Sequence, residues 1–294
     1  MKKLGMKFII CIAILISFSA SILSLGFSLD IRSTSASVES ETVALPIIMY
    51  HSILDSTSKT GKYTITPAVL EQDFQYLKKQ GYTAVLPDDL IAYANGERHL
   101  PEKPILITFD DGYYNNYSYA FPLLKKYGMK AVISIVGNFT EQYSTQDATM
   151  NNNYSHLSWT QLEEMLDAGV IAIGNHSYDM HREQTRIGFC RASNESEQEY
   201  IFNITQDVSH MQELCREHLN GYEIKTLTYP YGTYNRITEE IAEELGFSIT
   251  LTCYEKINLL AFGQKDTIYS LGRFNRPYGM TTYEFMQKLE KGNA

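Results

Sequence analysis

The sequence has one tryptophan, four cysteines and less basic than acidic charge. Its 25 Lys and Arg face 34 Asp and Glu, a net charge of −9. That balance excludes nucleic acid as the main partner, because phosphate binding needs a basic face. No CxxC pair is present, which argues against a structural zinc site. Cys11 sits in an apolar run, leaving Cys190, Cys215 and Cys253, an odd number for an exported domain. They read as free buried thiols, with a Cys190–Cys215 bridge as the alternative. Repeats and low-complexity tracts are absent. With 44% hydrophobic and 20% charged residues, the composition is that of a globular protein. The 22 tyrosines read mostly as half-buried core residues, and Trp159 as core, although Trp159 and Tyr178 also have the chemistry to stack on a sugar ring.

What is present begins with an export pattern over residues 1–29. Lys2, Lys3 and Lys7 precede an uncharged run of 22 residues from Phe8 to Leu29. A basic start followed by an apolar segment is a signal peptide, and this one is long enough to remain as a membrane anchor. The lysines keep that end inside and place the rest outside the cell. Residues 30–43, rich in Ser, Thr and Glu, read as a flexible tether. Residues 44–294 then form one domain, expected to act as a monomer.

Strand and helix signals alternate along that domain. Apolar runs at Ala44–Tyr50, Thr83–Leu86, Ile105–Phe109, Lys130–Val136, Val170–Ile173, Lys225–Tyr229, Ser248–Thr252 and Thr267–Arg273 read as strands. Helices are expected from Thr66-Pro67 to Gly81, at Asp88–Asn95, Asn115–Tyr127, Ser158–Gly169, 198–219, Ile237–Leu245 and Thr282–Lys291. Residues 138–157 and 185–197 read as loops. Continuous apolar strands between helices mean a parallel sheet buried on both faces. Seven or eight such units favour a closed or nearly closed barrel over an open sheet.

Four polar clusters fall where strands end: His51, Asp110-Asp111, His176 with His181, and Tyr229-Pro-Tyr-Gly232. In a barrel these ends share one rim, where active sites of such folds lie. Two adjacent carboxylates repel unless a cation or shared proton separates their roles, although Asp110 and Asp111 could also simply cap the following helix. Five residues apart, His176 and His181 would diverge by about 140° on a helix. On a strand end followed by a turn they can converge. With Asp110 or Asp111 they would make a His2Asp set with a position open for water, the form of a catalytic metal site. Adjacent carboxylates flank a glycosidic bond poorly, which weighs against glycoside hydrolysis.

Thr108-Phe-Asp-Asp-Gly-Tyr113, Gly174-Asn-His-Ser-Tyr-Asp-Met-His181 and Tyr229-Pro-Tyr-Gly232 together resemble the polysaccharide deacetylase family, carbohydrate esterases with a nodulation-protein-B homology domain. The likeness spans roughly residues 44–290. It implies a distorted (β/α)7 barrel and removal of acetyl groups from sugars with one divalent metal ion, zinc first and cobalt, nickel or iron as alternatives. It further implies Asp110 as general base and Asp111, His176 and His181 as metal ligands. The third motif would supply an oxyanion donor at the Tyr231 backbone, beside Pro230.

Three positions depart from the common pattern. The second histidine comes five residues after the first, with Met180 in its usual place. Thr228 stands where the third motif carries an arginine, and no histidine follows His218. These departures resemble the exported poly-β-1,6-N-acetylglucosamine deacetylases of biofilms, which share an early Tyr-His pair like Tyr50-His51. That branch implies His51 as general acid. Arg273 is a candidate to orient Asp110 in place of the absent arginine. Peptidoglycan, chitin fragments and acetylated xylan carry the same acetyl chemistry, and a catalytically inactive carbohydrate-binding relative is the reading from another class.

Overall fold

Residues 41–145 and 149–292 are described in a computed structural model of the protein. The export segment 1–29 and the tether as far as residue 40 lie outside the described residues. The tether was expected to run to 43, but Thr42–Leu45 (β1) is already a strand, paired antiparallel with Asn258–Ala261. Pro46 then separates β1 from Ile47–Tyr50 (β2), so the single strand expected over 44–50 is two. A proline has no N–H for the ladder, so a break there is the cheaper arrangement.

After the short parallel pair Ser52–Ile53 (β3) and Thr64–Ile65 (β4), units of strand and helix follow in order. They are Pro67–Lys79 (α1), Thr83–Ala84 (β5), Pro87–Ala94 (α2), Pro104–Phe109 (β6), Phe121–Tyr127 (α3), Ala131–Ile135 (β7), Gly137–Tyr143 (α4), Trp159–Asp167 (α5) and Ile171–Asn175 (β8). Glu197–His218 (α6), Thr226–Thr228 (β9), Arg236–Glu244 (α7), Ile249–Leu251 (β10), Asn258–Ala261 (β11), Phe274–Asn275 (β12) and Thr282–Lys291 (α8) complete the chain. Several helices start where the local chemistry dictates. Thr66 Oγ1 accepts from the Val69 N–H ahead of Pro67, and Ser158 with Gln161, Ser196 with Glu199 and Thr281 with Glu284 form reciprocal caps.

The main sheet runs β12-β2-β6-β7-β8-β9-β10, all neighbours parallel, with β5 beside the start of β6. Leu271 bridges Leu251 while Phe274–Asn275 pairs with Ile48–Met49, so this last stretch reaches both edges. The result is a distorted (β/α)7 barrel.

Period-two alternation places the chemistry. On β6, Ile105, Ile107 and Phe109 pack against the helices. Leu106 faces the other way, into a plug with Ile47, Val132, Ile249 and Leu251. Thr108 continues that inner row and hydrogen-bonds Arg273, and Asp110 is the next position along it. The barrel interior is therefore apolar low down and polar at the carboxyl rim.

Three expectations are corrected. Residues 138–157 are not all loop, because Gly137–Tyr143 forms α4, whose small first residue fits against Tyr178 and Met211. Thr267–Arg273 is not a strand: Lys265–Ile268 makes a 3-10 turn and Ser270 has φ 50°, so pairing starts only at Leu271 and Phe274. The strand Asn258–Ala261 escapes a reading for long apolar runs because it is only four residues long. The described cysteines are free thiols, but only Cys215 is buried; Cys190 and Cys253 are exposed. Trp159 is core, stacked on His218 with ring centroids 4.8 Å apart. Among the described residues no helix is long and apolar enough to cross a membrane.

One buried ion pair ties the end of the chain to its start. Asp73 on α1 accepts from Arg276 Nε (2.8 Å) and Nη2 (3.1 Å), Tyr50 Oη (3.0 Å) and Thr282 Oγ1 (2.6 Å). Both charged side chains are fully buried. Removing one partner strands the other's charge in the core, which costs about 3–5 kcal/mol. Arg276→Met should therefore lower the urea midpoint by that equivalent with an unchanged slope, read by equilibrium unfolding.

Candidate active site

The four strand-end clusters meet in a cavity of about 580 Å³, lined among others by His51, Asp110, Asp111, His176, His181 and Tyr231. Each is delivered by the residue after a strand: His51 by β2, Asp110 by β6, His176 by β8, and the Tyr229–Gly232 turn by β9. A larger hollow elsewhere, of about 700 Å³ beside Ile91, Glu239 and Tyr269, brings together no comparable set.

Asp110 and Asp111 point to different partners because the backbone turns over between them. Asp111 (φ 69°) and Gly112 (φ 64°) both adopt left-handed conformations. A Cβ at position 112 would lie 2.7 Å from Ile135 Cγ2, so glycine is required on steric as well as backbone grounds. Asp110 stays in the barrel interior, where Arg273 forms a two-pronged pair with it: Nη1 to Oδ1 at 2.7 Å and Nη2 to Oδ2 at 2.8 Å. Arg273 is itself held by the Thr252 carbonyl (2.8 Å) and Thr108 Oγ1 (3.1 Å). Burial alone would raise the Asp110 pKa, but the Arg273 guanidinium holds its carboxyl well below the usual range.

Asp111 Oδ1 instead lies 3.5 Å from His176 Nε2 and 3.2 Å from His181 Nε2. Ligand atoms of these three side chains fall within 4.8 Å of one another, the one such group of His, Cys, Asp or Glu among the described residues. The His176 Nδ1 atom is 2.8 Å from the Thr228 carbonyl oxygen, an acceptor that keeps the ring proton on Nδ1 and leaves Nε2 with a free lone pair. Burial pulls His176 down to about 3 and lowers His181, so both rings are neutral near pH 7. Burial pushes Asp111 up to about 6, and its Oδ1 has no hydrogen-bond partner. Two neutral imidazoles and a buried, unpartnered carboxylate oxygen fit a divalent cation, which would resolve the penalty of leaving that oxygen bare.

His51 lines the same cavity, its Nε2 atom 3.9 Å from Asp110 Oδ2. Its ring lies against Tyr63 with centroids 4.7 Å apart, and burial lowers its pKa while Asp110 and Asp111 oppose that shift. Tyr231 stacks on His181 (4.5 Å, 22°) and has φ 57°, an uncommon backbone conformation for a tyrosine, following the buried Pro230. Tyr178 does not line the cavity; its hydroxyl bonds Glu141 and its ring meets His210. Lys62, Tyr63, Tyr113, Glu183 and Cys253 also form the wall, none of them expected there from sequence. Tyr113 carried a signal, directly after the Asp-Asp-Gly turn. The others come from loops whose convergence no local pattern encodes.

A polysaccharide deacetylase family model matches residues 97–250. YxkH of Bacillus subtilis, a protein named for the same family, is 30% identical over 258 residues, covering 87% of this chain and 80% of that one. Poly-β-1,6-N-acetyl-D-glucosamine N-deacetylase of Escherichia coli is 25% identical over 261 residues, 82% of this chain but 38% of that enzyme's length. Among solved structures, IcaB from Ammonifex degensii aligns with a TM-score of 0.67 at 27% identity, over 84% of this chain and 96% of that one. A de-N-acetylase from Aggregatibacter actinomycetemcomitans shares the fold, with a TM-score of 0.71 at 24% identity over 84% and 100% of the two chains.

Proposed function

The chain belongs to the polysaccharide deacetylase family, hydrolases of N-acetyl amide bonds, and from that premise we propose that it deacetylates an N-acetylglucosamine polymer outside the cell. Poly-β-1,6-N-acetylglucosamine is the favoured substrate, since a relative named for it aligns over 82% of this chain. The basic-then-apolar start of the sequence supports export. The observation that carries the reading is the division of Asp110 from Asp111, one carboxylate paired with Arg273 and the other facing two histidines.

In this reading Asp111, His176 and His181 hold one divalent ion, with zinc suited to the His2Asp donor set. Such an ion supplies Lewis-acid polarisation of the acetyl carbonyl and activation of a water. Asp110, kept ionised by Arg273, takes the proton of the attacking water. His51, beside Asp110 in the cavity wall, gives a proton to the departing amine. The Tyr231 backbone N–H, in the turn after Pro230, is the protein's own donor to the developing oxyanion.

Acetate release from acetylated glucosamine oligomers, chitin fragments, peptidoglycan and acetylated xylan tests this. Chelator-treated protein should lose nearly all acetate release and regain it with zinc. Full-rate release by metal-stripped protein, or release from none of the polymers, sinks the proposal.

A further inference from the structure

Two tyrosines beyond the Asp-Asp-Gly turn the chain carries two asparagines, Asn115 and Asn116, both fully buried. Their side chains do not cap the helix they begin. Asn116 Nδ2 donates to the His51 carbonyl oxygen (2.9 Å) and to Asn115 Oδ1 (3.3 Å). Asn115 Oδ1 accepts from the Ile53 N–H (2.8 Å), and its Nδ2 donates to Ser52 Oγ and to the Asn152 carbonyl, each at 2.9 Å. Three consecutive residues, His51 to Ile53, are thus tied to the segment that bears Asp110 and Asp111.

Local geometry supports a purpose beyond packing. Residues 116–120 form a π-type turn rather than an α-helical one, the kind of one-residue irregularity that clusters at functional sites. Asn116 Oδ1 is buried without a partner, so the position bears a desolvation penalty that an apolar residue would avoid. The compensation is its amide, aimed at the backbone of His51.

We propose that Asn115 and Asn116 are positioning residues that clamp the His51–Ile53 segment to the Asp110–Asp111 turn, so that proton donor and base keep one fixed separation. This rests on the deacetylase reading, with His51 as the acid. The clamp acts only through His51, so its loss should matter only where the leaving group needs a proton. An acetylated glucosamine oligomer loses an amine that must be protonated; p-nitrophenyl acetate loses a phenolate that need not be.

Asn116→Ala should lower kcat on the oligomer on the order of 10–100-fold, the scale of a misplacement near 1 Å, with little change on the aryl ester. Bound zinc per chain should stay as in the wild type. Combining it with His51→Ala should cost no more than His51→Ala alone, since the clamp has nothing left to hold. Asn115→Ser, which keeps a hydroxyl donor, carries the same comparison if Asn116→Ala does not fold. Equal losses on both substrates, or additive losses in the double variant, overturn the clamp. Wild-type protein inactive on both substrates overturns the underlying reading instead.

Discussion

Asp110→Asn should abolish turnover while the protein keeps its metal. A general base contributes about 10²–10⁴-fold, so acetate release should fall by at least a hundredfold. The substitution is isosteric and leaves Asp111, His176 and His181 untouched, so zinc content should remain one per chain. It is not neutral for the fold, because Arg273 is completely buried and loses its counter-charge. The amide can still accept one Arg273 hydrogen bond, but not two, and a stranded guanidinium costs a few kcal/mol. Activity and metal content must therefore be measured well below the lowered unfolding midpoint. A folded, zinc-loaded Asp110→Asn protein with wild-type turnover would remove Asp110 as the base. Loss of metal together with activity would mean that the two aspartates do not divide their work as their partners imply.

That division was only half legible in the sequence. Strand ends announce themselves through apolar runs, so the rim and its residues His51, Asp110, Asp111, His176 and Tyr231 are legible in the sequence. Which carboxylate faces which way depends on the left-handed turn at Asp111 and Gly112, a backbone event that the Asp-Asp-Gly spelling permits but does not orient. Arg273 illustrates a second limit. Its neighbours Thr267–Arg273 spell a strand by propensity, yet Ser270 turns left-handed and the pairing is deferred. Its pairing with Asp110, 163 residues away, was reachable only as the substitute for an arginine that the resemblance led one to look for. The Asp73–Arg276 pair, 203 residues apart, had no such pointer. Such contacts are set by barrel closure, which no window of sequence contains. Asn115 and Asn116 fail for a different reason: at the start of an expected helix, nothing in their spelling sets them apart from ordinary polar helix residues.

Removing the other half of the buried pair should move the pH profile as well as the rate. Arg273→Leu leaves Asp110 in the barrel with no cation beside it, and burial then dominates and raises its pKa. The base must be ionised to work, so the acid limb of kcat/KM should shift upward by roughly one to three pH units. Stability has the same sign logic. In the wild type the depressed carboxyl favours folding above the ordinary Asp pKa, and that contribution is lost as pH falls toward the folded value. In Arg273→Leu the raised carboxyl reverses it, so stability should decline as pH rises through the new pKa. At neutral pH the variant should lose about 3–5 kcal/mol, the usual cost of an uncompensated buried charge. Arg273→Lys separates charge from geometry. It keeps the cation but not the two-pronged fork, so its acid limb should stay near the wild-type position while kcat falls. An acid limb unmoved in Arg273→Leu would show that Asp110 does not owe its ionisation to this arginine. It would leave Arg273 at most a positioning residue for Asp110, because a positioning role alone lowers kcat without displacing the limb.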